Sequence, residues 1–396
     1  MGKDKLAAKP RGLLSVRDVL LSTGEMTREA VIRYKATDFY DSAPFGLTVG
    51  FKETQSRILN TTPCITKLNK IQDITDLTQE VFDSIVCKEM DSQMSTAFSL
   101  AFLKLLAYKF GNSSAKFHEY LTATYATQPS SPRIICNILN GSKHACNNLA
   151  FCEFMIIPSG ETMAEKVRIA SEVYVDLQQI ITDELGEAHL FLGREGGFSP
   201  AVSNVEGAID LLGRAICMRN GGKCNIALDA AANSFSELQS GMFIYTVNGK
   251  QYTTNELVRY YTELLERYPS ISYLEDPFHE DDIGGWHQLF DLVGDNILVV
   301  ADDLTVSKAK NIRKYKKCFN ACILKVNQAG SVTELVMSYQ YCVAHGIKTI
   351  ISQRSGETDS NILAHLAVGL GSDYIKAGAP ARERIVKYNE LLRIAR

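Results

Sequence analysis

The sequence has no excess of either charge. Its 396 residues hold 42 Lys and Arg against 45 Asp and Glu, a formal net charge of -3, and no basic stripe runs through either half. Binding to nucleic acid or to an anionic membrane surface relies on such a stripe, so we expect neither partner. Apolar runs of membrane-spanning length are also missing, and Arg17 and Asp18 interrupt the apolar stretch 13–21, which argues against a secretory signal.

Cysteine pairs at redox or metal-binding spacing are missing too. The 10 cysteines are scattered, form no CxxC pair, and several lie in apolar runs, where a free thiol behaves as a small hydrophobic group. This usage is typical of a reducing compartment, so we expect a cytoplasmic protein. The rest is an ordinary globular mixture, 45% apolar and 22% charged, in a chain longer than one core usually serves. One large domain or two unequal domains are expected.

The clearest domain boundary is the segment Thr127-Gln-Pro-Ser-Ser-Pro132, with two prolines and two serines between periodic segments. Before it, the pattern predicts two short strands and one long helix, 94–110. The strands are Ala30–Tyr34 and Gly46–Phe51, and the apolar face of the helix is Phe98, Phe102, Leu105 and Leu106. We therefore predict an N-terminal α+β capping domain over residues 1–132 and a second domain over residues 133–396.

After the boundary, short apolar runs alternate with amphipathic helical patterns. The predicted strands are 134–139, 154–157, 190–192, 226–228, 271–274, 297–301, 322–324, 349–351 and 374–375, and the predicted helices include 163–185, 205–218, 255–268 and 332–344. This alternation favours a closed α/β barrel. The alternative, an open doubly wound sheet, is disfavoured because no GxGxxG sequence follows the first strand.

Charged residues stand at or just after the ends of these strands. They are three acidic residues followed by Lys, Arg and Lys: Asp229, Glu275, Asp302, Lys325, Arg354 and Lys376. Every spacing but the first is about one βα repeat, and the polar stretch 233–254 accounts for the longer one. In a βα barrel such positions meet at the mouth formed by the carboxyl ends of the strands.

Three carboxylates that meet in this way repel one another unless a cation lies between them. A single Asp after a strand is more often a helix N-cap than a metal ligand, but an ordered set of three acids and three bases is much harder to obtain by accident. Ligands that are all oxygen favour a hard cation, Mg²⁺ before Zn²⁺. Lysines held partly out of water have a lowered pKa and can act as bases. The pattern therefore indicates metal-assisted proton abstraction beside a carboxylate.

A series of short motifs identifies a family that this sequence resembles. The motifs are Asn140-Gly-Ser-Lys-His-Ala, Cys152-Glu-Phe-Met-Ile, Arg194-Glu-Gly-Gly-Phe-Ser-Pro, Ala227-Leu-Asp-Ala-Ala, Leu274-Glu-Asp-Pro-Phe, Ala301-Asp-Asp-Leu-Thr-Val, Leu324-Lys-Val-Asn-Gln, Ser352-Gln-Arg-Ser-Gly-Glu-Thr, Ile375-Lys-Ala-Gly-Ala-Pro and Tyr388-Asn-Glu-Leu-Leu-Arg-Ile. In this order they resemble the motifs of enolases, from about Pro132 to the end of the chain, and as a set they are very specific. The first 130 residues resemble the family only faintly. The resemblance implies an enolase-type βα (TIM-like) barrel with a smaller N-terminal α+β cap.

The resemblance also implies a role for each matching residue. The ligands of Mg²⁺ would be Asp229, Glu275 and Asp302. Lys325 would remove the proton beside the carboxylate of 2-phosphoglycerate to give phosphoenolpyruvate, and Glu195, supported by Glu153, would help the 3-hydroxyl to leave. Contacts with the substrate would come from His144, Gln353, Arg354, Ser355 and Lys376, of which Lys376 would hold the carboxylate and Arg354 and Ser355 the phosphate. A homodimer is implied as well.

Two departures from the family pattern lie beside the proposed catalytic groups. Gln353 stands where the family has His, and an amide cannot carry the positive charge of an imidazolium. Arg194 replaces an acidic residue next to Glu195, which reverses a charge at that position.

A third departure concerns the N-terminal lid of the family, which aligns best with residues 41–46. Pro44 stands where the family has a serine that reaches a second Mg²⁺, and Pro44 with Phe45 would make a stiffer lid, although Ser42 could substitute from a shifted register. The family's Asp-Ser-Arg-Gly-Asn-Pro signature is also absent. Two functions therefore remain open: an enolase of reduced rate, and a weakly active or inactive paralogue that serves as a structural or interaction subunit.

Overall fold

A computed structural model gives the fold of the chain. It describes residues 13–46, 61–71, 74–111, 116–142, 145 and 147–396. His144 lies outside these residues, as does most of the predicted strand Gly46–Phe51. Gly46 itself is described and does not belong to a strand.

The N-terminal part begins with a three-stranded antiparallel sheet in the order β1-β2-β3. Its strands are β1 (Leu13–Leu20), β2 (Met26–Tyr34) and β3 (Thr37–Ser42). The helices that follow are α1 (Thr62–Leu68), α2 (Gln79–Glu89), α3 (Ser92–Gly111) and α4 (Phe117–Tyr125). The predicted strand Ala30–Tyr34 is the second half of β2, and the predicted helix 94–110 lies within α3.

Helix α3 and strand β2 enclose the core of this part. Phe98 and Phe102 of α3 are fully buried with Ile32 of β2, and the ring of Phe102 stacks on Phe82 of α2 with centroids 4.0 Å apart. The predicted helix face is therefore the buried face, with Leu106 packed at its edge. Strands followed by helices around a separate core form the expected smaller α+β unit.

The second part is a barrel with an outer layer of helices. Its strands are β4 (Arg133–Asn140), β5 (Glu153–Pro158), β6 (Cys224–Asp229), β10 (Ile271–Glu275), β11 (Leu298–Ala301), β12 (Ala321–Leu324), β13 (Lys348–Ser352) and β14 (Tyr374–Lys376), and a separate small sheet holds β7 (Ser236–Gln239), β8 (Met242–Val247) and β9 (Lys250–Thr253). The helices are α5 (Met163–Leu185), α6 (Val205–Asn220), α7 (Thr254–Arg267), α8 (Ile283–Val293), α9 (Ala309–Tyr315), α10 (Val326–Ala329), α11 (Val332–Ala344), α12 (Ile362–Leu370) and α13 (Ile385–Ile394).

The barrel is closed, in the order β4-β5-β6-β10-β11-β12-β13-β14 and back to β4. The predicted α/β barrel with a smaller N-terminal domain is thereby confirmed, and the open doubly wound sheet is wrong. One strand runs against the rest: β5 pairs antiparallel with both β4 and β6, whereas the other neighbours are parallel. This reversal was not predicted, because a short apolar run does not indicate the direction of a strand.

The barrel interior is filled by side chains that alternate along the strands. Ile135, Met155, Ala227, Tyr273 and Val300 belong to this inner cluster, which is separate from the cluster between strands and helices. Residues two positions further along a strand point the same way. A functional group at the end of a strand therefore lies above the packed side chains of the barrel interior.

Helix α5 shows why the helical predictions succeeded. Its residues 163–185 agree with the prediction, and its buried stripe includes Ile169, Val173 and Leu177. The Thr162 side chain caps the start by accepting the backbone N–H of Glu165. Periodicity and the cap together fix both the face and the beginning of the helix.

Two segments differ from the simple alternation. The predicted strand 190–192 is wrong, since the structure gives it a single bridge, between Leu192 and Phe198, rather than a place in the barrel. The polar stretch 233–254 contains the sheet β7-β8-β9, which packs as an insertion between β6 and α7. Within the described part of the chain, no helix is both long and apolar enough to cross a membrane.

Candidate active site

The six charged residues at the strand ends meet at one mouth of the barrel, as predicted. Asp229, Glu275 and Lys376 are the last residues of β6, β10 and β14, Asp302 and Lys325 directly follow β11 and β12, and Arg354 is the second residue after β13. All six are buried or nearly so. They reach the same edge because their strands are parallel. The strands therefore collect acidic and basic side chains above the apolar interior.

Glu153 reaches this mouth from the opposite strand end. It is the first residue of β5, and the antiparallel register pairs it with Asp229, the last residue of β6. Its carboxylate Oε2 lies 2.9 Å from Lys376 Nζ. The structure thus places Glu153 beside Lys376, whereas the sequence analysis expected it to support Glu195.

Lys376 is surrounded by carboxylates. Its Nζ lies 2.9 Å and 3.0 Å from the two oxygens of Glu275 and 3.4 Å from Asp229 Oδ2, in addition to Glu153. The hydroxyl of Tyr273 donates to Glu275 Oε2 at 2.5 Å. Burial lowers the pKa of the Lys376 ammonium, but Glu153, Glu275 and Asp229 together raise it well above the ordinary value. Lys376 is therefore held as a cation.

Lys325, which follows β12, and Asp302, which follows β11, form a direct ion pair. Their side chains are 13% and 11% exposed. Burial raises the pKa of Asp302, yet Lys325 outweighs it and the pKa ends below its ordinary value. Burial likewise lowers the pKa of Lys325, and Asp302 outweighs that effect and leaves it raised. The expectation that burial lowers the pKa of these lysines is wrong for this arrangement, because each lysine has a buried carboxylate partner.

When all four carboxylates at the mouth are ionised, they carry more negative charge than the two lysines can balance. Burial raises the pKa of Asp229 to about 7 and that of Glu275 to about 8, and neighbouring carboxylates add to both shifts. Asp229 Oδ1 is buried without a hydrogen-bond partner among the residues that the structure describes. Four carboxylates around two ammonium groups, with one oxygen left over, fit a hard divalent cation.

A second group of carboxylates adjoins the first. Oxygens of Asp276, Asp302 and Asp303 lie within 4.8 Å of one another, a set that differs from the predicted trio and shares only Asp302 with it. Asp276 accepts the backbone N–H groups of Asp302 and Asp303 with its two oxygens, at 3.0 Å and 2.9 Å. Its own backbone has φ 40°, a conformation that costs energy for a residue other than glycine. Asp276 therefore orients the β11 end rather than offering free oxygens.

Glu195 is buried in the loop after α5, and Gln353 is its partner. Gln353 Nε2 donates to Glu195 Oε2 at 2.9 Å. Arg384, which the sequence analysis did not single out, donates to Gln353 Oε1 at 2.8 Å. Arg194, the charge reversal beside Glu195, is exposed, so its side chain points away from the buried carboxylate. The signal that could have found Arg384 is weak, since it lies in a run of charged residues.

Arg354 and Ser355 lie in the loop after β13, against the N-terminal part of the chain. Arg354 donates its backbone N–H to Glu357 Oε1 at 2.9 Å, and the backbone of Gly46 lies so close to the guanidinium that a Cβ there would collide with it. Phe45 and Gly356 exchange two backbone hydrogen bonds of 2.8 Å. The segment that aligns with the family lid thus ends directly beside Arg354 and Ser355.

Comparison with known proteins gives a consistent set of relatives. The family description "Enolase, C-terminal TIM barrel domain" matches residues 130–396. An enolase of Methanopyrus kandleri is 39% identical over 280 residues, 68% of this chain and 65% of that protein, and an enolase of Methanocaldococcus jannaschii is 42% identical over 269 residues, 66% of this chain and 62% of that protein. These matches span less than two thirds of those relatives. An enolase of Sulfolobus acidocaldarius is 33% identical over 388 residues, 93% of this chain and 91% of that protein.

Proposed function

The chain belongs to the enolase family, and we propose that it interconverts 2-phosphoglycerate and phosphoenolpyruvate with Mg²⁺. One observation carries the proposal: Lys325 stands buried beside a group of carboxylates that outnumber the ammonium groups around them. A base next to a site for a hard cation is what proton abstraction beside a carboxylate requires.

We assign the metal to Asp229, Glu275 and Asp302. Asp229 Oδ1 has no partner in the described chain, and the donors are all oxygens, which suits Mg²⁺. Asp276 accepts the backbone N–H groups of Asp302 and Asp303, so we assign it to positioning Asp302 and not to the ligand set. When bound, the cation would supply the positive charge that stabilises the doubly negative form of the substrate carboxylate, and it would share Asp302 with Lys325.

Two side chains would move protons. Released from its ion pair with Asp302, Lys325 in its neutral amine form would take the proton from C2 of 2-phosphoglycerate, and the electron pair of that bond forms the C2–C3 double bond as the C3–O bond breaks. The departing hydroxyl takes a proton from Glu195 and leaves as water. Lys325 then returns its proton to solvent and Glu195 regains one, so that the cycle closes.

The remaining residues would bind and orient the substrate. Arg354 and Ser355 would hold the phosphate, since both are buried in a loop whose backbone is fixed by Glu357. Lys376 would hold the substrate carboxylate as a permanent cation, with Glu153 as its anchor. His144 and Gln353 would line the pocket.

A second function, that of a weakly active paralogue serving as a structural or interaction subunit, is favoured by the same region. Gln353 brings no positive charge, and both ends of its amide already have partners. Asn327 Nδ2 donates to the carbonyl of Pro44 at 3.3 Å. This hydrogen bond restrains the segment 41–46, which aligns with the family lid. We retain the enzyme as the better-supported function because Lys325 lies beside the carboxylates to which we assign the metal.

The assembly and location of the protein are further parts of the proposal. We propose a homodimer in the cytoplasm, with the domain boundary at residues 132/133. Leu20 and Met26, which are paired across β1 and β2, support a partner surface on the first sheet, since these residues are 63% and 62% exposed.

An assay of the purified protein tests the proposed activity. Conversion of 2-phosphoglycerate to phosphoenolpyruvate in the presence of Mg²⁺ is followed by the absorbance of the product or by a coupled reaction. We expect Mg²⁺-dependent turnover that chelation abolishes. Tight binding of 2-phosphoglycerate without turnover would favour the second function, and absence of binding would contradict the enzyme.

A further inference from the structure

Arg384 contacts the loop that carries the proposed phosphate ligands. Its side chain is fully buried, and its guanidinium donates to the carbonyl oxygens of Arg354 and Ser355, each at 2.7 Å. The same guanidinium donates to Gln353 Oε1 at 2.8 Å. Because a guanidinium has donors and no acceptor, Gln353 must present its carbonyl oxygen, not its NH₂ group, to Arg384.

Because Arg384 fixes the carbonyl oxygen of the Gln353 amide, the position of the NH₂ group of that amide is fixed as well. Gln353 Nε2 points at Glu195 Oε2, 2.9 Å away. Gly378, with φ +77°, closes a third side, since a Cβ on this residue would lie 2.5 Å from Gln353 Nε2. Turning the amide over would set its NH₂ group against the guanidinium and its oxygen against the carboxylate of Glu195. Both contacts would be repulsive, so only one orientation is compatible with these neighbours.

We propose that Arg384 is a positioning residue that acts through Gln353 to keep one N–H donor on Glu195 at every pH at which the protein is folded. The inference rests on the proposed function in one respect, namely that Glu195 serves the leaving hydroxyl. With Oε2 engaged by the amide, Glu195 Oε1 is the oxygen left to serve the substrate hydroxyl. An imidazole changes its number of donors near pH 6.5, whereas an amide does not.

Within the described part of the chain, a few charged and titratable groups lie around this amide. Arg384 and Glu195 touch it, Glu383 lies 2.8 Å from Arg384 Nε, and the Tyr388 hydroxyl donates to the Gly378 carbonyl at 2.6 Å. Lys376, on the adjacent strand, meets Gln353 through its backbone carbonyl. A pH effect that appears only when position 353 is changed can therefore be ascribed to that position.

The variant Gln353→Glu tests the series of contacts from Arg384 through Gln353 to Glu195, which we call the relay. Glutamate keeps the shape of the glutamine side chain and still offers an oxygen to Arg384. Its second oxygen can donate to Glu195 only when it is protonated. Relative to the wild type, we expect kcat to be lower by about 100-fold at pH 8 and to recover as the pH falls to 5.5, with KM for 2-phosphoglycerate changing much less. Gln251→Glu, the same change at an exposed position of β9, is the matched control. A ratio of kcat values that is constant across this range would overturn the inference.

Arg384→Lys tests the first link of the relay. Lysine keeps the charge but lacks the planar fork, so the amide of Gln353 can turn. We expect kcat of the folded variant to fall by about 10-fold or more with KM little changed. A lower Tm with an unchanged kcat would mean that Arg384 only stabilises the fold, and would overturn its role as a positioning residue.

A stability cycle tests the contact without turnover. At pH 8, Gln353→Glu sets two carboxylates against each other and should lower Tm, and adding Glu195→Gln should restore most of the loss, since an amide again faces a carboxylate. A loss that Glu195→Gln does not reverse would overturn the relay whatever the activity. Absence of turnover in the wild type, with a positive cycle, would instead overturn the proposed function and the catalytic use of the relay while leaving the contact established.

Discussion

Asp276 accepts the backbone N–H of Asp302 at 3.0 Å, so the residue after one proposed metal ligand fixes the backbone of another. Its second oxygen accepts the N–H of Asp303 at 2.9 Å. The carboxylate of Asp276 is buried between the ends of β10 and β11. It leaves the backbone of Asp302 and Asp303 little freedom to move. The position of Asp302 is therefore set by Asp276, the residue that follows β10, as much as by the strand β11 that precedes Asp302.

Asp276→Asn should loosen this arrangement. An amide has one oxygen, so one of the two backbone N–H groups loses its acceptor and faces an NH₂ group instead. We expect a loss of about 1–3 kcal/mol in the free energy of unfolding and a weaker response to Mg²⁺. Urea denaturation with and without Mg²⁺ measures both effects, and Asp295→Asn, at an exposed position, is the control. An unchanged unfolding curve would contradict the anchoring role.

Mg²⁺ should stabilise the wild-type protein and have little effect on Asp302→Asn. A ligand that binds only the folded chain adds about 2.7 kcal/mol at one hundred times its Kd, and removing one of three carboxylate ligands weakens binding. Thermal unfolding with and without millimolar Mg²⁺ provides the comparison. Equal melting temperatures of the wild type in both conditions would argue against the metal site.

Lys325→Ala should separate catalysis from metal binding. We expect turnover to fall by about 100-fold or more, since the variant has no amine beside Asp302. Stabilisation by Mg²⁺ should persist, because the carboxylates remain. Steady-state kinetics and thermal shifts on the same preparation check the two halves. Near-normal turnover would show that another group removes the proton.

The buried side chain of His365 should make the folded protein less stable in mild acid. Burial lowers the pKa of His365 to about 4, although Glu390 raises it from 3.1 Å away. Between pH 6.5 and pH 4 the unfolded chain takes up a proton on this side chain that the folded chain does not, so stability falls as the pH falls through that range. The full effect is about 3 kcal/mol at most.

The variant His365→Gln removes this contribution. Its unfolding free energy should depend less on pH than that of the wild type between pH 6.5 and pH 4.5. The comparison stops there because Glu390, whose pKa is lowered, loses its own stabilising effect at lower pH. His345→Gln, at an exposed position, should leave the wild-type curve unchanged. Parallel curves for the wild type and His365→Gln would contradict the prediction.

The sequence predicted the features that depend on local pattern. The helix 163–185 was predicted because its apolar stripe is a local pattern. The mouth residues were predicted because a charge after an apolar strand occupies the same edge of any parallel barrel. The direction of β5 could not be predicted, and with it the contact between Glu153 and Lys376.

Contacts between segments that are far apart in the sequence could not be predicted either. Arg384 reaches Gln353 across 31 positions of the chain, and nothing in a run of charged residues marks which of them is buried. The apolar run at 190–192 has strand-like composition, yet it lies outside the barrel because the loop holding Glu195 folds back on it. The pairing of Lys325 with Asp302 reversed the expected pKa shift, since a partner on the neighbouring strand outweighs burial.

The backbone hydrogen bonds between Phe45 and Gly356 join the first sheet to the barrel, and Ser22 and Glu357 add another at 2.8 Å. Main-chain bonds of this kind break only when one of the two partners unfolds or separates. The two cores should therefore melt as one cooperative unit, with equal calorimetric and van't Hoff enthalpies. A ligand that engages Arg354 would then protect amide hydrogens of β1 and β2 from exchange, far from where it binds.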